Sequence, residues 1–329
     1  MKVLVLTTSY PRTEDEVAGI FVGDYVAALE QAGAEVIVVS PADFPHFGIA
    51  YGHGIMQNLR ARPWLWAFVP AFLAGFALAA RRASRQADVV YAHWLPSAVA
   101  ALGTGKPFAV QLWGTDVAIA RRLHLPARLL LRRARAVVVA SDFLAGEARR
   151  LGARSIGVVP VPLAIPAEVA EPDDPPHVLF VGRLSEEKGI IEFLEATEGL
   201  PRVIVGEGPL AAEVPEALPF VPRRALGRYY ERAAVVCAPS RREGYGMVVR
   251  EAMAYGRPVV ATHVGGLADA VTPDTGVLVP VGDRRALRHA IETLLSDHEL
   301  RNRLGAAARA RMADSAREPA GLALASLLA

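Results

Sequence analysis

Two carboxylates with seven residues between them bracket a glycine turn in the stretch APSRREGYGMVVREAMAYGRPVVAT, residues 238–262. They are Glu243 and Glu251, and the turn between them holds Gly244, Tyr245 and Gly246. The two glycines carry no Cβ, so the backbone there can approach a ligand closely. A helix follows, and its first N–H groups, around Gly246, Met247 and Val248, have no acceptor within the helix and favour an anion. A carboxylate touching that anion would repel it, so Glu243 and Glu251 suit sugar hydroxyls on either side of it. The pattern describes a pocket for a molecule that is part sugar and part phosphate. For either Glu alone the competing account is a charge at a helix N-terminus, worth under ~1 kcal/mol.

A second element, VGRLSEEKG at 181–189, follows the apolar run His177-Val178-Leu179-Phe180. It supplies Arg183, a planar fork for phosphate oxygens, and Lys188, a compact charge. In this order and spacing, with PS before the carboxylate pair and PVVAT after it, the two elements resemble retaining glycosyltransferases of family 4 (GT-B fold). The resemblance covers nearly the whole chain. It implies an α/β protein of two Rossmann-like β/α/β domains facing across a deep cleft, with donor bound in the C-terminal half and acceptor in the N-terminal half.

The resemblance also implies roles. Glu251 takes the ribose hydroxyls of the nucleotide, and Glu243 takes hydroxyls of the transferred sugar. Arg183 and Lys188 neutralise the diphosphate as charge grows on it. No Asp-x-Asp motif and no His/Cys metal spacing occurs, so the two basic residues replace a divalent metal. No metal or cofactor is expected beyond the nucleotide-diphosphate sugar itself. VGEGPL, residues 205–210, matches a family turn near the nucleobase through Gly206 and Gly208, although G-x-G-P alone fits any strand-to-helix turn.

In the N-terminal half, His93 ends the strand Asp88–His93. A lone His there is otherwise a structural hydrogen-bonder, whereas the family places one near the donor sugar and the acceptor. Asp116, in WGTDV, matches a family loop at the interdomain cleft. By residue type it is also an N-cap for a helix from Val117. The loop at 7–25 is expected on the acceptor side. Its single glycine, Gly19, stands where relatives have two adjacent ones that reach the donor phosphate.

These loops need elements to hold them. Apolar runs at Val3–Thr8, 35–40, 88–93, 108–112 and 136–141 alternate with helical spacings such as Phe21–Gln31, which Gly33 ends. Continuous apolar strands separated by helices imply parallel sheets covered on both faces, with ligands beyond the carboxyl ends of the strands. The proline-rich stretch 160–176 is an interdomain linker. The expected division is therefore 1–165, 166–315, and a last helix in 316–329 that returns to the N-terminal domain as in GT-B enzymes. Two domains also suit 329 residues. Between Gly189 and Gly206 there is room for one short helix, so the C-terminal domain looks trimmed.

Composition narrows the surroundings. The single cysteine, Cys237, excludes an internal disulfide and lies in a buried strand. The start MKVLVLTTSYPR reads as a strand and lacks the features of a secretory signal. Residues 1–165 carry 17 Lys and Arg against 11 Asp and Glu, and the remainder 19 against 23. A basic N-terminal half can face anionic headgroups or a phosphorylated acceptor; it is equally a solvated Arg-rich surface. No aromatic-interleaved basic patch points to nucleic acid. The apolar stretch 63–80, closed by Arg81 and Arg82, admits a buried or partly exposed helix, an interfacial helix or a membrane span. A span ranks last, because it would break an otherwise regular strand alternation.

The expected activity is transfer of a hexose, with retention, from a UDP- or GDP-sugar to a hydroxyl of a glycan, glycolipid or small molecule. A lipid-linked cell-surface acceptor is the default, at a cytoplasmic or peripheral inner-membrane location. A GT-B nucleotide-sugar epimerase and a non-catalytic nucleotide-sugar-binding subunit are the alternatives.

Overall fold

The computed structural model describes residues 1–13, 16, 19–51 and 54–329. Residues 14, 15, 17 and 18 of the expected acceptor loop lie outside these. The chain divides into two units, Met1–Pro162 with Glu318–Ala329, and Leu163–Arg317.

Among the described residues, the first unit holds β1 (Lys2–Leu6), β2 (Glu35–Val39), β3 (Val89–His93), β4 (Phe108–Leu112), β5 (Ala136–Val139) and β6 (Ile156–Val158). They form one parallel sheet in the order β2-β1-β3-β4-β5-β6. Val3 to Leu6 and Val90 to His93 are fully buried, as a sheet covered on both faces requires. The order reverses at β1: the chain steps one way to β2, then returns past β1 to β3 and continues through β6. Crossovers are right-handed, so helix Ile20–Gln31 lies on one face. The helices between β2 and β3, β3 and β4, and β4 and β5 lie on the other. Helix Ala320–Leu328 packs on Ile20–Gln31. Gly321 sits so close there that a Cβ would stand 1.9 Å from the Ala28 carbonyl oxygen.

The second unit holds β7 (Val178–Val181), β8 (Arg202–Val205), β9 (Val235–Ala238), β10 (Val259–Thr262) and β11 (Gly276–Val279). They are parallel in the order β11-β10-β9-β7-β8. Side chains alternate between two cores. Val178, Phe180, Val235 and Cys237 enter one, and Leu179 and Val236 enter the other. Burying each such side chain contributes about 1.5–3 kcal/mol. Here the order reverses between β7 and β9, the place where an open parallel sheet leaves a crevice at its carboxyl edge.

The run Pro63–Gln86 is long and apolar enough to cross a membrane by length and composition. In the fold it is a 3-10 turn, Pro63–Phe68, leading into helix Val69–Ala83, and it forms the crossover from β2 to β3. Leu65, Phe72, Phe76 and Ala80 enter the core, and the Phe44 ring meets Phe72 and Phe76 at 5.2 and 5.1 Å. A spanning helix would place its ends on opposite sides of a bilayer, whereas β2 and β3 flank β1 in one sheet. The segment is therefore a partly buried, partly exposed helix.

Candidate functional site

The reversal between β7 and β9 gathers both sequence elements of the C-terminal half. Beyond β7 come Gly182, Arg183, a single 3-10 turn at Glu186–Lys188, and Gly189. Beyond β9 come Pro239, Ser240, Glu243 and the glycine turn, then helix Met247–Ala254. The two loops are laced together. The Arg241 N–H donates to the Glu187 carbonyl at 2.8 Å, the Arg242 guanidinium pairs with Glu187 at 2.9 Å, and Arg241 Nε donates to the buried Glu192 at 3.0 Å. Gly189 has φ +72°, and a Cβ on it would lie 2.0 Å from the Pro239 carbonyl oxygen. Only glycine allows these loops to close at that point.

Lys188 Nζ donates to Glu243 Oε2 at 2.5 Å, with both side chains partly buried. Charge-assisted bonds of this kind are short. The ammonium expected on phosphate is thus paired with the carboxylate expected on the sugar. Arg183 stands exposed just past the end of β7.

Gly246 precedes the helix with φ +81°, and Gly266 abuts the turn from below: a Cβ on Gly266 would stand 2.3 Å from the Gly244 carbonyl oxygen. Among the described residues no side chain caps helix Met247–Ala254, and no acidic residue lies in its first turn. Its positive end is therefore open to an anion. Arg250 fixes the turn from behind. Its guanidinium lies 3.9 Å from the centre of the Tyr245 ring and donates to the Tyr245 carbonyl. Burial lowers the Arg250 pKa from its ordinary value.

One helical turn further on, Glu251 accepts from the Tyr230 hydroxyl at 2.8 Å and pairs with Arg223 Nε at 3.4 Å. Tyr230 is buried and stacks on Tyr255 at 5.5 Å. Sequence reasoning missed Tyr230, Arg223 and Arg250. The last carried a signal, being the one cation in the otherwise apolar start of that helix. Tyr230 and Arg223 lie in PRRALGRYYER, which has no motif of its own.

Gly206 and Gly208 serve the β7 loop by close packing. A Cβ on Gly206 would stand 1.9 Å from the Gly182 carbonyl oxygen, and one on Gly208 would stand 2.3 Å from that of Leu184. Backbone bonds from Gly182 to Val205 (3.0 Å) and from Leu184 to Glu207 (2.9 Å) zip the two turns together.

The first unit holds the remaining candidates, around its own reversal between β1 and β3. His93 is fully buried among Tyr25, Tyr91, Trp94 and Trp113. Among the described residues neither ring nitrogen has a hydrogen-bond partner, so within them the ring is not the structural hydrogen-bonder that its place at a strand end suggests. Burial lowers its pKa to about 3, which keeps it neutral and unsuited to carrying a proton near neutral pH. Asp116 is also buried, but it is not an N-cap from Val117. The helix starts earlier, at Gly114, and Asp116 reaches back from its first turn. Its Oδ2 accepts from Trp113 N at 2.9 Å and its Oδ1 from Leu95 N at 3.0 Å, so it ties together the turns after β3 and β4. Burial raises its carboxyl to about 7 against the pull of these two N–H groups. Gly19, at φ +78°, caps helix Ile20–Gln31, and a Cβ there would stand 2.2 Å from the Ser9 carbonyl oxygen. Cys237 is buried in β9, and burial pushes its thiol up, which excludes a nucleophile.

Comparison with known proteins places this architecture. The family model for glycosyl transferases group 1 matches residues 163–311, and that for a glycosyl transferase 4-like domain matches 18–164. A D-inositol 3-phosphate glycosyltransferase of Kineococcus radiotolerans is 30% identical over 317 residues, covering 73% of this chain and 71% of that one. The enzyme of the same name from Xylanimonas cellulosilytica is 41% identical over 160 residues, which span 42% of this chain and 38% of its own length. Among solved structures, Anabaena HepE in complex with UDP-glucose superposes with a TM-score of 0.74 at 18% identity, over 99% of both chains. The chain belongs to the group 1 glycosyltransferases, with a family 4-like N-terminal domain and the GT-B fold.

Proposed function

We propose that this protein is a retaining, metal-independent hexosyltransferase. It takes its sugar from a nucleotide-diphosphate donor held at the β7/β9 reversal and passes it to a hydroxyl of a glycan or lipid-linked acceptor. The observation that carries this reading is the set gathered on these loops: Lys188 against Glu243, Arg183 on the same loop as Lys188, the helix start at Gly246, and Glu251 braced by Tyr230 and Arg223. Cations and helix N–H groups suit the diphosphate, while the two carboxylates suit hydroxyls on its two sides.

As the glycosidic bond breaks, negative charge gathers on the departing diphosphate. Arg183, Lys188 and the helix N-terminus meet that charge with groups already in place. On the diphosphate's arrival the Lys188 ammonium turns from Glu243 toward phosphate, which frees the Glu243 carboxylate to accept from the sugar. No side-chain carboxylate is needed as a nucleophile. The acceptor hydroxyl attacks from the face the diphosphate leaves, and a phosphate oxygen takes its proton, so the anomeric configuration is kept. His93, neutral and buried, acts by shape rather than as a base. The complex of HepE with UDP-glucose supports UDP as the first nucleotide to test.

The test is transfer from UDP-glucose, UDP-galactose and GDP-mannose in the presence of a chelator, with the product anomer read by NMR. An α-product from an α-donor is expected. An inverted product, or activity that returns only with divalent metal, refutes the proposal, and sugar isomerised without acceptor marks an epimerase.

A further inference from the structure

We propose that the outer surface of the helices on the crossover face of the first sheet is a docking surface for an anionic phospholipid bilayer. Three segments build it: Pro63–Ala83 after β2, helix Leu95–Leu102 after β3, and helix His124–Arg133 after β4. They lie side by side, with Leu95–Leu102 packed against both of the others. Each spends its core-facing side on the sheet: Phe72, Phe76 and Ala80; Ala98 and Ala101; Ala127, Leu130 and Leu131.

The outward sides are unusual. Trp64 is 61% exposed and Trp66 53%, with Phe68, Leu73 and Leu78 beside them in the chain. Pro96, Val99 and Leu102 recur at every third position along the outward stripe of the middle helix. Leu125 and Leu129, 65% and 58% exposed, share the outer side of the third. Large apolar residues repeated across three neighbouring helices form a surface that water disfavours, and paired tryptophans at its edge suit a bilayer interface.

Charge selects the occupant. Residues 44–87 contain five arginines and no Asp or Glu, and residues 117–141 contain six arginines and again no acid. Arg60, Arg62, Arg81, Arg82, Arg132 and Arg133 are exposed. Arg121 is taken by the buried Glu147, at 2.6 Å. The apolar surface is thus flanked by cations without acidic neighbours along the same segments. An aqueous protein partner of ordinary composition has no such requirement, but a layer of acyl chains under anionic headgroups matches both properties. The helices lie flat on the sheet, so the bilayer is touched rather than crossed.

The experiment is flotation of the full-length protein with vesicles of phosphatidylcholine alone, and with vesicles in which about a third of the lipid is phosphatidylglycerol. Neither donor nor acceptor is present, so the result is independent of glycosyl transfer. Binding is expected to favour the anionic vesicles at least tenfold. Arg81→Glu with Arg82→Glu, and separately Arg132→Glu with Arg133→Glu, should each reduce it tenfold or more, as on the order of fivefold per arginine implies. High salt should do the same to the parent protein. The blue shift of tryptophan emission on binding should largely disappear in Trp64→Ser with Trp66→Ser. These positions are exposed, so melting curves should be unchanged; if a variant fails to fold, the salt dependence of the parent decides. The proposal is overturned by equal binding to neutral vesicles, by charge variants that bind like the parent, or by self-association that buries the same tryptophans without lipid.

Discussion

The two signature loops meet tightly at Gly189, and replacing it with alanine tests whether their contact positions the site. Two costs arise. An L-residue at φ +72° pays about 1–2 kcal/mol for the left-handed conformation. In addition, the new methyl would stand 2.0 Å from the Pro239 carbonyl oxygen and 2.8 Å from its carbon, where ordinary contact begins at 3.4 Å. Backbone is met here, not a flexible side chain, so the loop after β7 must withdraw from the loop after β9 by more than ~1 Å, a misplacement that costs ~10²-fold in rate. Lys188, next in the chain, moves with it and away from Glu243. Gly199→Ala is the matched control. Its φ is +75° and nothing lies within 4 Å of the added Cβ, so it carries the strain without the collision. Both variants should lose stability, with Gly189→Ala down by about 2–3 kcal/mol, or about 4–12 °C in melting temperature. Only Gly189→Ala should lose ~10²-fold in kcat/KM. If Gly189→Ala melts lower yet transfers sugar like Gly199→Ala, the two loops do not depend on one another and the site is assigned wrongly.

Three further outcomes are expected. Tyr230→Phe removes the hydroxyl that braces Glu251 at 2.8 Å, and should weaken nucleotide binding by ~1.5–3 kcal/mol; titration calorimetry reads this, and unchanged affinity would mean that Glu251 is not a ligand contact. Arg250→Met removes both the stacking on Tyr245 and the bond to its carbonyl. It should lower kcat more than it raises KM, since the helix N-terminus loses its aim, and a change in KM alone would contradict this. Asp116→Asn should alter the pH dependence of stability. The Asp116 carboxyl, raised to about 7 from 3.8, adds stability that is full below pH 3.8 and lost as pH rises through 7. His93, lowered to about 3 from 6.5, adds stability that is full above pH 6.5 and lost as pH falls through 3. The two slopes oppose each other between about pH 4 and 6.5. In Asp116→Asn only the His93 slope remains, so melting temperature should climb with pH across that window more steeply than in the parent. Parallel curves would contradict the buried, partly protonated Asp116.

The alternation of apolar strands with helices was legible, because a sheet covered on both faces leaves long apolar runs that few other arrangements tolerate. Positions of glycines were legible too, but not always their purpose. Gly206 and Gly208 stand out in VGEGPL as a turn, but the sequence does not show that the backbone of Gly182–Leu184 lies against them. That contact joins segments over twenty residues apart, and no local pattern carries it. Tyr230 and Arg223 escaped notice for the same reason, since they meet Glu251 only through the packing of neighbouring helices. Asp116 was half legible. Its residue type announced a helix start, but its second bond, to Leu95 on the turn after β3, belongs to the sheet order. The exposed Leu125 and Leu129 carry no motif, and only the topology sets their helix against Leu95–Leu102, which in turn packs on Val69–Ala83.

The second unit is proposed to bind a nucleotide-diphosphate sugar between the loops after β7 and β9. Titration calorimetry of UDP, GDP, ADP and their glucose or mannose conjugates, without metal, tests it most directly when run on the parent, Glu251→Ala and Lys188→Ala. One nucleotide family should bind the parent, Glu251→Ala should abolish binding of nucleotide and nucleotide sugar alike, and Lys188→Ala should weaken diphosphates. Binding that is indifferent to both substitutions, or no binding of any nucleotide, would contradict it.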